Sequence, residues 1–403
     1  MLTKNLFKKA AAVVLSAAVA GLFGAAGYYS LRLPENVTAE SADSVSFAMY
    51  PELSCIGSVN GFEDSKQAEK ATLSLFGAIP VKSVNVRENE APTLVVCGEP
   101  FGVKLLMEGV MVTGMSRVDC SGEDICPAEL AGVEVGDVIR SADGCELTSN
   151  ADLQRVISES GGRDVLLSIS RGGADITADL RPVMSERDEK WRGGMWVRDS
   201  IAGIGTMTFI NKETGGFAGL GHPVCDSDTG EIIPISSGEA VPVEITGARK
   251  GEKGVPGELQ GRFTRSPVYG VLDKNCESGI YGRLSETACK ELCSGAEELQ
   301  MGYRQDITTG EAYIWSTLSG SSPERYSAEI ERVDYSSGEG SKNMVIHITD
   351  PRLIDSSGGI VQGMSGSPVV QNGKLIGAVT HVFVSDPTRG YAIFAENMFE
   401  NTQ

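Results

Sequence analysis

The longest uninterrupted hydrophobic stretch lies at the amino terminus. Lysines within residues 1–9 precede an uncharged run at residues 10–31, which Arg32 ends. A run of this length can cross a bilayer as a helix, and the positive-inside rule then keeps residues 1–9 in the cytoplasm and the remainder outside. Small-residue sites at residues 18–20 and 24–26 leave a cleaved signal peptide as the alternative. In either case we expect the rest of the chain to be exported.

Residues 32–92 show two patterns in succession. Up to about Asp64 they are polar and rich in turn-forming residues, which predicts a stalk that is accessible to proteases. Runs at residues 72–77 and 81–86 then alternate apolar and polar positions, a period of two that is typical of strands. We therefore expect residues 32–92 to form a stalk followed by a β-rich linker.

Residues 93–184 have the pattern of one small module. Glycines within residues 131–147 separate a turn, a short apolar strand and an Asp-Gly hairpin turn. Ser149 is a good N-cap for a helix in which apolar residues recur at helical spacing as far as Gly161. The string AGVEVGDVI in this segment resembles the PDZ domains that are attached to bacterial envelope proteases.

The PDZ resemblance implies a site for peptides. In that family a peptide adds as a strand beside the sheet, and backbone N–H groups of a loop hold its carboxylate. The corresponding loop here is at residues 100–103, so the resemblance implies Phe101, Gly102 and Val103 as peptide-binding residues.

Residues 191–403 follow a third pattern after a polar boundary at residues 185–190. Short apolar runs are separated by glycine and asparagine turns, and the sole amphipathic helix that we predict there spans residues 286–299. This pattern favours an all-β barrel or sandwich over an alternation of strands and helices. The expected fold is therefore mainly β.

Composition excludes several classes of function. The 49 glycines and 22% charged residues of the 403-residue chain suit a β-rich protein with many tight turns. A formal net charge of -19 argues against nucleic-acid binding, which depends on Lys and Arg. The nine cysteines include no Cys-x-x-Cys pair, so we expect reduced structural thiols, no metal site and no cofactor, although an exported location permits a disulfide.

The clearest chemical signal is the string GMSGSP at residues 363–368. A Gly-x-Ser-Gly-x-Pro loop holds its serine on a strained turn with the hydroxyl exposed. The backbone N–H groups of Gly363 and Ser365 then converge on one point, as in an oxyanion hole that stabilises a tetrahedral intermediate. Glycine-serine clusters are also common in plain loops. The motif therefore indicates a nucleophilic serine only if the chain also supplies a general base.

The chain contains three histidines. His222 ends a run of small residues, which is similar to the step before the histidine of trypsin-like proteases, whose fold is a double β-barrel. His347 lies in an alternating strand and is most simply a sheet-face residue. Thr380 and His381 lie on the strand after Ser365, which forms a wall of the substrate pocket in trypsin-like folds.

A buried carboxylate is the third member of a serine triad, because it orients the imidazole. Asp226, Asp228 and Asp350 are the candidates, and spacing alone does not decide among them.

Several strings in combination resemble one family closely. They are GIGTMTF at 203–209, LGH at 220–222, TDPRLI at 349–354, GGIVQGMSGSP at 358–368 and GAVTHVFV at 377–384. Together they resemble the stage IV sporulation protein B peptidases of endospore-forming bacteria, from the single anchor through the PDZ module to the carboxyl terminus. By motif, the resemblance implies a triad of His222, Asp350 and Ser365. Asp350 precedes the serine by a short segment, whereas most trypsin-like folds place this residue much earlier.

The resemblance also implies a function and a location. Such a peptidase is exported into the space between the two sporulation membranes, where it cleaves its own amino-terminal region. It then cleaves a membrane-bound regulator that silences an intramembrane metalloprotease, and this step activates sigma-K. Self-cleavage would release part of the protein from the membrane.

Two other functions compete with this one. An envelope quality-control protease of broad specificity shares the PDZ module and the serine loop, but usually carries the PDZ module after the protease domain. A non-enzymatic PDZ scaffold is the third possibility, and the presence of both Ser365 and His222 argues against it.

Overall fold

The computed structural model describes residues 2–60, 69–264, 267–336, 338 and 340–402. The chain begins with helix α1 (Leu2–Arg32). Its portion Ala12–Arg32 has a mean hydropathy of 1.6, and the apolar window within it is not buried by the rest of the protein. Near its end, Ala25 and Tyr29 pack against the core of the following sheet. A helix of this length and composition can anchor a protein in a membrane, and a signal sequence has the same properties.

A four-stranded sheet follows α1. Its strands are β1 (Asn36–Ala39), β2 (Leu53–Asn60), β3 (Glu69–Leu75) and β4 (Ile79–Glu88), in the order β1-β4-β3-β2. Strand β1 runs parallel to β4, and the other two pairs are antiparallel. The alternating apolar side chains of β3 and β4 point into a core, as their period of two predicts.

The prediction of a stalk is wrong for residues 33–60. Leu33 and Phe47 are each 1% exposed and belong to a hydrophobic core that the sheet shares with the carboxy-terminal barrel. The ring of Phe47 packs edge-on against Tyr335, with 5.6 Å between the ring centroids. Isolated apolar residues in a polar, turn-rich stretch have no periodicity, so the sequence gives no sign of their burial. The end of the predicted stalk, residues 61–64, lies outside the described residues.

The predicted PDZ module comes next. Its elements are β5 (Thr93–Val96), β6 (Pro100–Met115), β7 (Val118–Cys120), β8 (Glu123–Ile125), α2 (Pro127–Leu130), β9 (Val138–Ala142), β10 (Cys145–Glu146), α3 (Asn150–Glu159), β11 (Val165–Arg171) and β12 (Ala174–Leu180). Ser149 caps α3, as predicted, by accepting a hydrogen bond from the N–H of Asp152 at 3.2 Å. Leu153, Val156 and Ile157 face a core formed with β9, β11 and β12.

Strands of the predicted peptidase domain extend the same sheet to thirteen strands. The following elements are β13 (Val183–Met184), β14 (Trp191–Arg192), β15 (Met195–Ile210), β16 (Gly216–Gly219), β17 (Ile235–Arg249), β18 (Glu258–Phe263), β19 (Gly270–Cys276), β20 (Gly279–Leu284), α4 (Glu286–Leu292) and β21 (Glu298–Gln300). Because β6 pairs with both β15 and β17, six strands form a ring in the order β6-β17-β19-β20-β16-β15. Strand β6 therefore belongs to the PDZ module and to this ring.

The remaining strands form a closed barrel. Its elements are β22 (Gly310–Ser316), β23 (Glu324–Val333), β24 (Met344–Ile348), α5 (Pro351–Ser357), β25 (Pro368–Gln371), β26 (Lys374–Phe383), β27 (Asp386–Phe394) and α6 (Ala395–Phe399). The strands pair in the order β22-β23-β24-β27-β26-β25. The prediction of a mainly β chain with an apolar amino-terminal helix is confirmed. The likeness to trypsin-like double barrels stays a prediction.

Helix α4 is shorter than predicted. The helical pattern suggested residues 286–299, but the helix ends at Leu292 and the chain enters β21 at Glu298. Gly295 between them has a φ of +75°. Glycine adopts this left-handed conformation without strain, so it ends the helix despite the apolar spacing.

Candidate active site

The serine loop and two histidines line one cavity. The cavity has a volume of about 410 Å³. Ser365, His222 and His381 face it together with residues 201–204 of β15. Residues that are 143 positions apart in the chain therefore line a single cavity.

Strand β15 holds the serine loop in place. The N–H of Thr206 donates to the carbonyl of Ser365 at 2.9 Å, and its hydroxyl donates to the carbonyl of Gly363 at 2.8 Å. The hydroxyl of Thr208 donates to the carbonyl of Gly366, also at 2.8 Å. Three backbone carbonyls of the loop are thus bonded to one strand.

The two amides predicted for the oxyanion hole are free to donate. Neighbouring N–H groups of the loop are already used: that of Met364 donates to the carbonyl of Val361 at 3.1 Å, and that of Gly366 donates to the carbonyl of Val379 in β26 at 2.7 Å. In the part of the chain that the structure describes, the N–H groups of Gly363 and Ser365 have no protein acceptor. This pattern agrees with the expected role, which stays a prediction.

A tight turn after β16 delivers His222 to the cavity. Leu220 and Gly221 both adopt left-handed φ values, +66° and +70°. A Cβ on Gly221 would lie 2.9 Å from side-chain atoms of Ile393 and Thr380, so the turn passes very close to the barrel. The sequence places a glycine where this approach requires one.

The hydrogen bond of His222 defines its tautomer. Its Nδ1 lies 2.8 Å from the carbonyl oxygen of Pro223. A carbonyl only accepts hydrogen bonds, so Nδ1 carries the proton and Nε2 is left as a proton acceptor. Burial lowers the pKa of His222 below its ordinary value, which keeps the ring neutral near pH 7.

His381 is the immediate neighbour of His222. The two ring centroids are 4.9 Å apart, and the planes are tilted by 40°. Burial, followed by the charges of His222 and Lys342, lowers the pKa of His381 to about 4. Its Nδ1 is buried and has no hydrogen-bond partner among the described residues. Both rings are therefore neutral at pH 7, and His381 remains a pocket residue only by prediction.

The serine hydroxyl is bonded to a backbone carbonyl and not to the imidazole. Ser365 Oγ donates to the carbonyl oxygen of Thr380 at 2.8 Å. No hydrogen bond joins Ser365 to His222, both of which are among the described residues. The nucleophile would have to give up its bond to Thr380 before its proton could pass to the base.

Asp350 does not come together with the other members of the predicted triad. Its carboxylate accepts hydrogen bonds from the N–H of Ser327 at 3.2 Å and from the guanidinium of Arg352 at 2.9 Å, and it caps α5. It is not among the residues that line the cavity. The hydrogen bonds from Arg352 and the burial of the carboxyl act in opposite directions, and the pKa of Asp350 is lowered. Its triad role therefore rests on the family resemblance alone.

The two other carboxylate candidates are engaged elsewhere. Asp226 is buried, accepts from the N–H of Asp228 at 3.0 Å and pairs with Arg198. The carboxylate of Asp228 lies 2.9 Å from the same guanidinium. His347 lies in β24, 3.6 Å from Glu331 and away from the cavity, which fits its expectation as a sheet-face residue.

Sequence reasoning missed two parts of this site. The carbonyl of Pro223 orients His222, and the backbone of residues 201–204 forms a wall of the cavity. Every residue has a carbonyl, so no residue type marks such a partner in a sequence. The string GIGTMTF at residues 203–209 marks the family resemblance in the sequence, and its two threonines bond to the serine loop in the structure.

The prediction that Phe101, Gly102 and Val103 bind peptides is wrong. All three lie in β6, where β15 pairs with one edge and β17 with the other, so no edge is open to a peptide. Phe101 is fully buried, and a Cβ on Gly102 would lie 2.5 Å from the ring of Phe263. The prediction fails because β6 belongs to two units: it continues from the PDZ module into the six-stranded ring.

Among the described residues, no group of three or more His, Cys, Asp or Glu side chains could hold a metal ion.

Comparison with known proteins identifies both domains. A model of the SpoIVB peptidase S55 family matches residues 189–399, and a PDZ domain model matches residues 119–171. A Mesorhizobium japonicum protein whose name assigns it to the zinc metalloproteases is 27% identical over 173 residues. That match covers 43% of this chain and 40% of the relative, so the chain spans two fifths of its length.

A solved PDZ structure also matches. It is the PDZ domain of an SdrC-like protein of Listeria monocytogenes, 23% identical, and the match covers 22% of this chain and 87% of that one, with a TM-score of 0.19. The peptidase model, by contrast, spans more than half of the chain. This protein therefore belongs to the SpoIVB peptidase S55 family and is a serine peptidase with a PDZ domain.

Proposed function

We propose that this peptidase acts in sporulation signalling. Held by its amino-terminal helix between forespore and mother cell, it cleaves its own amino-terminal region and then a membrane-bound regulator of an intramembrane protease, which leads to activation of sigma-K. Family membership supports this pathway. The observation that carries the proteolytic part is the cavity in which Ser365, His222 and two unused amides meet.

In this proposal Ser365 is the nucleophile and His222 the general base. As Ser365 Oγ bonds to the substrate carbonyl carbon, Nε2 of His222 takes the hydroxyl proton. The N–H groups of Gly363 and Ser365 stabilise the negative charge on the carbonyl oxygen. The C–N bond then breaks, the proton passes from His222 to the leaving amine, and water hydrolyses the acyl-serine by the same steps.

The proposed orientation of His222 involves two groups. The carbonyl of Pro223 already holds Nδ1–H and so supplies the correct tautomer. Asp350 is the third triad member by family resemblance, although its carboxylate is bonded to Arg352 in this arrangement. Asp350 would assist His222 only after exchanging Arg352 for the imidazole.

The substrate pocket is proposed at Thr380 and His381. The carbonyl of Thr380 accepts the hydroxyl of Ser365, which is a resting arrangement of the nucleophile. A substrate strand that pairs with β26 would compete for this carbonyl and release the hydroxyl towards His222. The neutral ring of His381 lies beside the base and shapes the pocket without repelling the imidazolium that forms.

Full-length protein in detergent with a random peptide library tests this function. Narrow cleavage supports a signalling peptidase, broad cleavage supports quality control, and no cleavage supports a scaffold. Ser365→Ala should abolish cleavage. Ser367→Ala is the matched control, since this buried hydroxyl two residues away has no partner among the described residues, and most activity should remain. Full activity of purified Ser365→Ala contradicts the proposal.

The pathway itself needs a test in cells. In an endospore-forming host that depends on this gene, Ser365→Ala should leave pro-sigma-K unprocessed on an immunoblot, whereas Ser367→Ala should allow processing. Normal processing in the Ser365→Ala strain contradicts the signalling role even if the enzyme cleaves peptides in vitro.

A further inference from the structure

One turn of the amino-terminal sheet is both uncharged and exposed. Residues 71–81 contain no charged side chain, and they form the end of β3, the turn after it and the start of β4. Within the turn Phe76 is 72% exposed, and Gly77 and Ala78 are exposed as well. We call residues 76–79 the Phe76 turn.

Neither the backbone nor the core explains why this turn carries a phenylalanine. Phe76 has a φ of +54°, in the left-handed region that suits Gly, Asn and Asp and is unfavourable for bulky side chains. Its neighbour Leu75 is buried in the core, whereas Phe76 lies largely outside it. An aromatic ring that is exposed at a strained position indicates a contact with something beyond the folded chain.

The Phe76 turn is bonded to the carboxy-terminal end of α1. The N–H of Phe76 donates to the carbonyl of Glu52 at 2.8 Å, and the carboxylate of Glu52 accepts from the hydroxyl of Tyr29 in α1. The ring of Tyr29 also packs edge-on against Tyr50, with 5.2 Å between the ring centroids. Glu52 therefore joins the turn to the helix.

The direction of β4 shows where the turn lies along α1. The ammonium group of Lys82 donates to the carbonyls of Ser30 and Leu33, at 3.2 and 2.7 Å, and β1 then pairs in parallel with β4. Strand β4 thus advances in the same direction as the chain that leaves the helix. Its first residue, Ile79, comes three positions before Lys82, which is about 10 Å in a strand. The Phe76 turn therefore lies beside the last two turns of α1.

This level of α1 coincides with the surface of a bilayer. Residues 10–31 carry no charge and form about 33 Å of helix, close to the hydrocarbon thickness of about 30 Å. Arg32, whose guanidinium lies 4.7 Å from the ring centroid of Tyr28, then lies just outside the hydrocarbon. Tyrosines are enriched at this boundary, which suits Tyr28 and Tyr29. With α1 across a membrane, a turn beside its last two turns meets the outer leaflet.

We infer that the Phe76 turn inserts into the outer leaflet of the phospholipid bilayer that α1 crosses, as a second membrane contact of the protein. The inference rests on the anchoring helix of the proposed function and is independent of the peptidase chemistry. Phe76 and Ile79 supply apolar surface, and the lack of charge in residues 71–81 avoids the cost of bringing a charge into lipid.

The second contact has a consequence for the whole protein. A single helix leaves the attached domain free to tilt, whereas two contacts fix its angle to the membrane. The amino-terminal sheet shares a hydrophobic core with the carboxy-terminal barrel, so the contact also orients the barrel and its side of the catalytic cavity.

Insertion is tested with tryptophan reporters in phospholipid nanodiscs that hold one full-length copy each. The discs contain phosphatidylcholine and phosphatidylglycerol, with or without bromine on the acyl chains, which quenches tryptophans that it contacts. Phe76→Trp and Ala78→Trp place a reporter in the turn. Glu88→Trp is the matched control, because this exposed residue ends the same strand about 30 Å from Ile79. The wild type, with three tryptophans, gives the background to subtract.

The two turn reporters should behave alike and differ from the control. Their added fluorescence should shift to shorter wavelength, resist aqueous acrylamide and be largely lost in brominated discs. Glu88→Trp should be quenched by acrylamide and not by bromine. Adding Phe76→Asp to Ala78→Trp should reverse the bromine quenching, since a carboxylate opposes insertion. Circular dichroism checks folding, and Ala78→Trp decides the question if Phe76→Trp does not fold.

Three results overturn the inference. Acrylamide quenching of the turn reporters without bromine quenching places the turn in water, and protection from both quenchers indicates a contact with protein. Bromine quenching of Ala78→Trp that persists with Phe76→Asp contradicts insertion through Phe76. A wild type that elutes apart from the discs in size-exclusion chromatography refutes the anchor, and the inference fails with it. The proteolytic part of the proposed function is measured separately by peptide cleavage and stands in each case.

Discussion

Gly366→Ala tests whether β15 positions the serine loop. Gly366 has a φ of +95°, and an added Cβ would lie 1.9 Å from the backbone oxygen of Thr206 and 2.6 Å from the backbone nitrogen of Leu220. Ordinary contact begins at 3.4 Å, so the loop and β15 must separate by about 1.5 Å, from the difference between 3.4 and 1.9 Å. Both obstacles are backbone atoms, which cannot rotate away as a side chain would.

Three costs add up in this variant. The left-handed conformation of an alanine costs about 1–2 kcal/mol, overpacking costs about 1–3 kcal/mol, and loss of the bond from Thr206 to Ser365 costs about 1 kcal/mol. The free energy of unfolding should therefore fall by about 3–6 kcal/mol, the sum of these terms. A displacement of this size at a nucleophile also lowers the reaction rate by about 100-fold.

Gly373→Ala is the matched control for backbone strain. Gly373 has a φ of +75° in the turn between β25 and β26, and a Cβ there meets nothing within 4 Å. It should lose only the conformational cost of about 1–2 kcal/mol. Urea unfolding followed by circular dichroism gives both stabilities, and fluorophosphonate labelling of the folded fraction gives the reactivity of Ser365. Equal stability of the two variants, together with wild-type labelling of Gly366→Ala, refutes the reasoning.

Four further predictions concern the two histidines of the cavity, Asp350 and self-cleavage. Peptidase activity should persist as the pH falls until it reaches the lowered pKa of His222, below the ordinary value of 6.5, and loss of half the activity above pH 6.5 contradicts a buried neutral base. For stability, His381 has a folded-state pKa of about 4 and an ordinary value of 6.5, so the unfolded chain binds the proton more tightly. Stability should fall between about pH 6.5 and 4, and His381→Gln should lessen this loss in urea titrations at pH 4.5 and 7. Asp350→Asn should lower kcat by about 10⁴-fold if Asp350 is a triad carboxylate, as in a known serine triad. If the variant loses stability but keeps its kcat, the role of Asp350 is to bind Arg352 and to cap α5. Active protein should acquire a new amino terminus before the PDZ domain while Ser365→Ala stays full length unless wild type is added, and mass spectrometry that finds cuts only beyond Val183 contradicts self-processing.

Local sequence patterns predicted those features that depend on a few neighbouring residues. The cap and buried face of α3 follow from Ser149 and the helical spacing after it, and both occur as expected. The serine loop, with glycines at φ +95° on either side of Ser365, needs only the GMSGSP string. With three histidines in the chain the sequence favours His222 as the base, and the structure places His222 and Ser365 in the lining of one cavity.

Features that depend on distant partners were beyond the sequence. Residues 100–103 are of types that suit a carboxylate-binding PDZ loop as well as a strand. Only the pairing of β6 with β15 and β17 shows that Phe101 and Gly102 are enclosed. The apolar residues within residues 33–60 have no period, yet a core provided by the barrel buries them.

The same distinction explains the candidate active site. The sequence by itself predicted the proposed chemistry, because a serine loop, a histidine and two amides are recognisable as residue types and local turns. The tertiary structure alone decided what orients them. The carbonyl of Pro223 bonds to the ring of His222, and the guanidinium of Arg352 bonds to the carboxylate of Asp350. Strand β15 lines the cavity and holds the serine loop. Backbone carbonyls and amides belong to every residue, and ion pairs depend on which side chains fold together. Their roles therefore emerge only when the chain is folded.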